Sequence, residues 1–142
     1  MINKFEEYLF NESAKKAQPN LALAKSLVKD MSSRVNDVSS LDINKFPKIV
    51  FENIYDALRD FADALLSLDG FKSYSHEATF SYLEKYGFDK SSLFIFDKFR
   101  YKRNSSKYYG QIVLIEEAKE ILEFYEKNRH KINRILKDKD LI

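Results

Sequence analysis

After Pro47 the chain runs to Asp69 without a glycine or another proline, and it repeats apolar residues at Phe51, Ile54, Tyr55, Leu58, Phe61, Ala62, Leu65 and Leu66. Steps of three and four are the period of an α-helix, and a stripe this broad can meet two neighbouring helices. The segment is therefore read as a central helix. Pro47 suits its first turn, where the missing N–H would have had no partner, and Gly70 stands where a helix end takes a left-handed residue.

The rest of the sequence supplies the neighbours. Leu21, Ala24, Val28, Met31, Val35 and Val38 alternate three and four apart and predict a helix that ends before the turn SSLDIN. Ser75 can cap the helix HEATFSYLEKY, which Gly87 ends; a fourth helix follows from about Lys90 to Ser105. The last begins after Gly110 and repeats Ile115, Ala118, Leu122, Tyr125, Ile132 and Leu136, with Arg129 interrupting the stripe. Residues 2–17 read as a short helix or a loosely attached arm that Pro19 ends. With only 3 Gly and 2 Pro, turn chemistry for a many-stranded sheet is lacking, while 12 Phe and 9 Tyr supply an aromatic core. The fold expected is all-α: an antiparallel four- to five-helix up-and-down bundle in one domain, 1–142, with 1–18 as the N-terminal helix or arm and 19–138 as the bundle core.

Several function classes fall away. Without cysteine there is no disulfide, thiolate metal site or cysteine nucleophile, and a reducing cytoplasm fits best. The longest apolar runs, LFIF and IVLI, fall far short of the ~20 residues that span a bilayer, and MINKFEEYLF lacks the blocks of a signal peptide, so no membrane role is expected. No Glu-x-x-His pair, phosphate-cradling glycine loop or G-x-S-x-G turn occurs, so neither metal nor cofactor is expected. A net charge of +2, from 24 basic and 22 acidic side chains, is too balanced to name a partner; the distribution has to decide.

The densest basic stretch is KFRYKRNSSK, where Lys98, Arg100, Lys102, Arg103 and Lys107 interleave with Phe99 and Tyr101 and precede Tyr108 and Tyr109. Cations there can hold phosphates while the rings stack on bases, or they can complement a helix C-terminus beside ordinary core aromatics. Arg103 continues the stripe of Phe96 and Phe99, which puts it at the inner edge of its helix. A guanidinium so placed needs a partner, either a carboxylate on the central helix (Glu52, Asp56, Asp60 or Asp63) or a phosphate from outside. His76, just after the cap Ser75, is either solvent-facing or at the edge of a cleft; His130, among Glu126, Lys127, Arg129 and Lys131, reads as part of a solvated face.

The run RNSSKY, Arg103 to Tyr108, resembles the signature of the HEPN family, in which an arginine, often followed by a polar residue, precedes a histidine by four to six residues. Arg103 falls on the family arginine, Asn104 on the polar residue and Tyr108 on the histidine. The segment NIYDALRDFADALLSLDGFKSYSHEATFSYL resembles that family's central helix, its G-x-K-S-type turn and the start of its next helix; together the likeness spans Ile49 to Gly110. The resemblance implies a homodimeric bundle whose two arginine motifs line a shared cleft. It also implies action on RNA or a nucleotide, commonly as a metal-independent ribonuclease toxin partnered by a nucleotidyltransferase antitoxin. In that chemistry the 2′-hydroxyl attacks the adjacent phosphate, which needs a cation and a group that moves a proton near neutral pH. Arg103 can supply the first, but Tyr108 replaces the second poorly, because a phenol of pKa ~10 is barely ionised at pH 7.

Three readings follow. In one, Arg103 and Lys107 hold phosphate in an RNA- or nucleotide-binding module, Asn104 and Tyr108 orient it, and Lys102, Arg100, Tyr109 and His76 complete the surface. In the second the same fold is an active endoribonuclease, with Arg103 and Tyr108 as its catalytic pair. In the third it is a non-catalytic helical interaction domain, with Arg103 held in an internal ion pair.

Overall fold

A computed structural model describes all of residues 1–142. It contains α1 (Phe5–Phe10), β1 (Ala14–Lys16), α2 (Leu21–Val38), α3 (Pro47–Asp69), β2 (Phe71–Ser73) and α4 (His76–Ser81). A 3₁₀ turn over Tyr82–Tyr86, α5 (Lys90–Tyr109) and α6 (Ile115–Asp138) complete it. The chain is mostly helical, and no helix is long and apolar enough to cross a membrane.

Helix α3 is the centre of the assembly, as its broad stripe requires. All eight apolar residues named above for this segment are buried. Helix α2 packs along one side of α3 and α6 along another. Arg34 meets Asp60 near the end of α2, and the backbone N–H of Asn20 donates to the Ser67 carbonyl near its start, so these two helices run antiparallel. Helices α5 and α6 do the same, with Lys102 against Glu117 and Phe96 against Phe124. The aromatic surplus fills the space between them. Phe96 stacks on Phe80 at 4.9 Å and meets Phe88 and Phe124 edge-on, while Phe99 reaches Phe51 and Phe124. Each such pair adds about 0.5–1.5 kcal/mol beyond simple burial.

Three segments depart from expectation. Residues 2–17 hold a short helix, but only over Phe5–Phe10, and they are not a loose arm: β1 pairs antiparallel with β2, Ala14 opposite Ser73 and Lys16 opposite Phe71. Tyr8 and Ala14 are buried, and Phe5 packs edge-on against Phe71 and Tyr82. Second, GFKS is not a plain turn. Gly70 takes φ +83° and closes α3; a Cβ there would also lie 3.0 Å from the Ala17 carbonyl oxygen. Phe71–Ser73 then extend as β2. The bundle thus carries a two-stranded ribbon that helical periodicity does not reveal. Third, α5 does not stop at Ser105. Nothing before Gly110, at φ +68°, offers the chain a left-handed exit, so α5 continues through Tyr109.

Candidate functional site

The extension of α5 sets the geometry of the basic segment. At 3.6 residues per turn, Arg100, Arg103 and Lys107 fall on one row, whereas Tyr108, five residues past Arg103, points about 140° away round the helix. Arg103 faces inward with 14% of its side chain exposed, while Tyr108 and Tyr109 are 67% and 79% exposed, with the Lys107 ammonium over the Tyr108 ring. Within one chain the arginine and tyrosine of the RNSSKY run do not meet. Asn104 is half-buried beside them and makes no side-chain hydrogen bond to the protein.

Of the four carboxylates open to it, Arg103 takes Asp56, at 2.8 Å from Nη1, and its guanidinium lies over the Tyr55 ring. Of the two partners left open for it, a central-helix carboxylate is the one the chain supplies, which is the internal ion pair of the third reading: its inward position brings it within reach of a carboxylate one residue beyond the tyrosine it covers. The pairing is incomplete. Asp56 also faces Arg34 at 3.6 Å, and Arg103 Nε is buried with no acceptor, an omission that typically costs ~1–3 kcal/mol. Ser106 Oγ, one turn along the same side of α5, is buried and unpartnered as well.

What surrounds Arg103 is assembled from three elements. Helix α3 contributes Tyr55, Asp56, Arg59, Asp60 and Asp63; Arg59 pairs with Asp63 at 3.5 Å. Helix α4 begins at Ser75, whose hydroxyl accepts from the Ala78 N–H, and this cap fixes His76 so that Nδ1 lies 2.8 Å from the Tyr55 hydroxyl. Thr79, one turn further, donates to Asp63 at 3.1 Å. Helix α5 contributes Arg103 and Arg100, the latter held by Asp97 at 2.7 Å and Glu77 at 3.6 Å.

The electrostatics follow from this crowding. Burial drives Tyr55 well above the ordinary phenol range, so it keeps its proton. Burial, then Arg59 and Arg103, lower His76 to about 4, against which Asp56 acts alone; the ring is neutral at neutral pH and sits in a positive field. Burial lifts Asp60 to about 6 in spite of its bond to Arg34, and it raises Asp63 too. Asp56 and Glu77 do not use up the donors here. His76 Nε2, Arg103 Nη2 and the terminal nitrogens of Arg59 have no protein partner, and none is sealed from solvent.

The remaining basic residues are spent differently. Lys102 is bound by Glu117 at 3.1 Å and donates to the Ile112 carbonyl, whereas Lys107 has no carboxylate partner. His130 is exposed, as its neighbours imply. A separate surface groove lies between α2 and α6 over Met31, Val35 and Tyr125. Arg59 carries one sequence signal only, a cation within the acidic row 52, 56, 60 and 63. Neither a protein-family model, nor a curated protein, nor a solved structure matches the chain.

Proposed function

We propose that the chain is a HEPN-like module that binds the phosphate of a nucleotide or RNA where α3, α4 and α5 meet, with Arg103 as its principal cation. One observation carries this reading: Arg59, Arg103 and His76, gathered about buried Tyr55, each keep a nitrogen that has no protein partner and is not sealed from solvent. Lys107, one turn beyond Arg103 and free of carboxylates, extends the row, and Tyr108 and Tyr109 offer rings for base stacking. Arg103 lies on the long helix before the last, where the resemblance places the family arginine, and the partners it implies are a second copy and a nucleotidyltransferase. The separation of Arg103 from Tyr108 argues for binding ahead of turnover within one chain.

The test is titration of a fluorescent single-stranded RNA and of adenosine monophosphate against wild type, Arg103→Lys and Arg103→Ala. Arg103→Ala should weaken binding at least about tenfold, and Arg103→Lys, which keeps charge but loses the planar fork, by less. Melting curves check that Asp56, still facing Arg34, leaves the variants folded. Unchanged affinity in Arg103→Ala overturns the proposal.

A second reading has its own observation. Phe94, Tyr101 and Tyr108 repeat every seven residues along the outer side of α5, each about two-thirds exposed. Such a stripe fits association with a second copy of the chain. Sedimentation velocity should then show a dimer that Tyr101→Glu converts to a monomer at unchanged melting temperature; a monomeric wild type at about 100 μM, well above typical dimer Kd values, removes this reading.

A further inference from the structure

We infer that the group bound at this junction is a terminal phosphate, and that neutral His76 donates to it through Nε2–H in a tautomer fixed by the Tyr55 hydroxyl. The inference rests on the phosphate-binding reading above and names the ligand class and a residue role within it.

The tautomer follows from counting hydrogens. The Tyr55 hydroxyl has one proton to donate, and the only acceptor within its reach is His76 Nδ1, 2.8 Å away. Tyr55 is buried throughout, so water does not offer its hydroxyl an alternative. If Tyr55 donates to Nδ1, the single imidazole proton resides on Nε2, the nitrogen that has no protein partner and is open to solvent. The ring therefore presents a donor outward without carrying charge. Protonating it would place a hydrogen on Nδ1 and strip the Tyr55 hydroxyl of its acceptor. Burial and the charges facing the ring oppose this step too: Arg59 from α3, and Arg100 and Arg103 from α5, against Asp56 alone. Glu77, on the same helix, is engaged by Arg100 and by the Tyr8 hydroxyl.

The ligand class follows from the donors. A phosphodiester presents two non-bridging oxygens and one negative charge, whereas a terminal phosphate presents three oxygens and about −1.5 to −2 charges at neutral pH. Arg59 and Arg103 are the two cations that act most strongly on His76, and a pair of positive charges beside a neutral N–H matches the nearly double charge of a terminal phosphate better than the single charge of a diester. Arg103 need not release Asp56 to take part, since Asp56 uses Nη1. With both arginines already charged and the histidine acting as a neutral donor, binding at this site draws no proton onto the ring.

The experiment is ¹⁵N-histidine NMR of the full chain with adenosine monophosphate and, separately, with the dinucleoside monophosphate ApA. Exposed His130 is replaced by Gln so that one imidazole remains. Expected are the Nε2–H tautomer in the free protein at about pH 7, its retention with a shifted Nε2 resonance on saturation by the monophosphate, and about tenfold weaker binding of ApA. His76→Gln, which keeps an N–H near the Nε2 position, should bind the monophosphate within a fewfold of wild type, and His76→Ala about tenfold more weakly. Tyr55→Phe should give mixed tautomers. An Nδ1–H tautomer, an imidazolium in the complex, or equal affinity for ApA, with binding still lost in Arg103→Ala, overturns the inference and leaves the function standing. No binding of either probe overturns the function itself.

Discussion

Two tyrosine clusters hang from α3, one at its end and one at its middle, and they differ in what they leave undone. At the end, Asp69 Oδ2 accepts from the Tyr82 hydroxyl at 2.6 Å and the Tyr86 hydroxyl at 2.5 Å. Lys85 and Lys139 cover the two rings. Burial and then the Asp69 carboxylate push both phenols up, so each hydroxyl keeps its proton and donates it. That cluster is closed and ties the 3₁₀ turn to the last residue of α3. In the middle, Tyr55 also donates inward, but to an imidazole whose far nitrogen faces water, beside arginines with nitrogens to spare. Similar chemistry thus makes a staple where both hydroxyls share one carboxylate, and leaves nitrogens open to solvent where a phosphate site is proposed.

The largest expected effect tests the closed cluster. Asp69→Ala removes the common acceptor of two hydroxyls, one of them on fully buried Tyr82. At ~1.5–3 kcal/mol for each hydrogen bond to a charged group, a loss on the order of 3 kcal/mol is expected in urea denaturation. Asp69→Asn, which keeps one acceptor, should lose less, and nucleotide affinity should be unchanged in both. An Asp69→Ala protein as stable as wild type would erase the distinction between staple and surface.

How much of this was legible in the sequence differs between the two kinds of information involved. The α3 stripe, Pro47, Gly70, Ser75 and Gly87 are local signals, and the helices they predict are present, although the one between Ser75 and Gly87 passes into a 3₁₀ turn at Tyr82. The inward position of Arg103 followed from Phe96 and Phe99 for the same reason. Long-range pairing left no such trace. Ala14–Lys16 have no strand periodicity of their own and become β1 because β2 offers them an edge. Asp56 could not be chosen from four carboxylates on one helix face, because which one meets Arg103 depends on how α5 crosses α3. The Tyr55–His76 bond joins residues 21 apart through the angle between α3 and α4, which composition does not encode.

The smallest expected effect is on pH dependence, and it sharpens the contrast because two groups of the open cluster pull in opposite directions. The folded pKa of His76 is depressed to about 4 from 6.5, so its contribution is present above 6.5 and is lost as pH falls toward 4. The folded pKa of Asp60 is raised from 3.8 to about 6, so its contribution is present below 3.8 and is lost as pH rises through 6. Between pH 6 and 4, acidification therefore weakens the fold through His76 and strengthens it through Asp60, and both effects are moderated by partial exposure to solvent. In His76→Gln the Asp60 contribution remains unopposed, and stability relative to wild type should rise on acidification across this window; in Asp60→Asn it should fall. Denaturation midpoints of the three proteins at a few pH values suffice. Parallel curves would mean that neither group has the environment that makes this half of α3 a site, and the closed cluster would then be the only one of the two with an identified task.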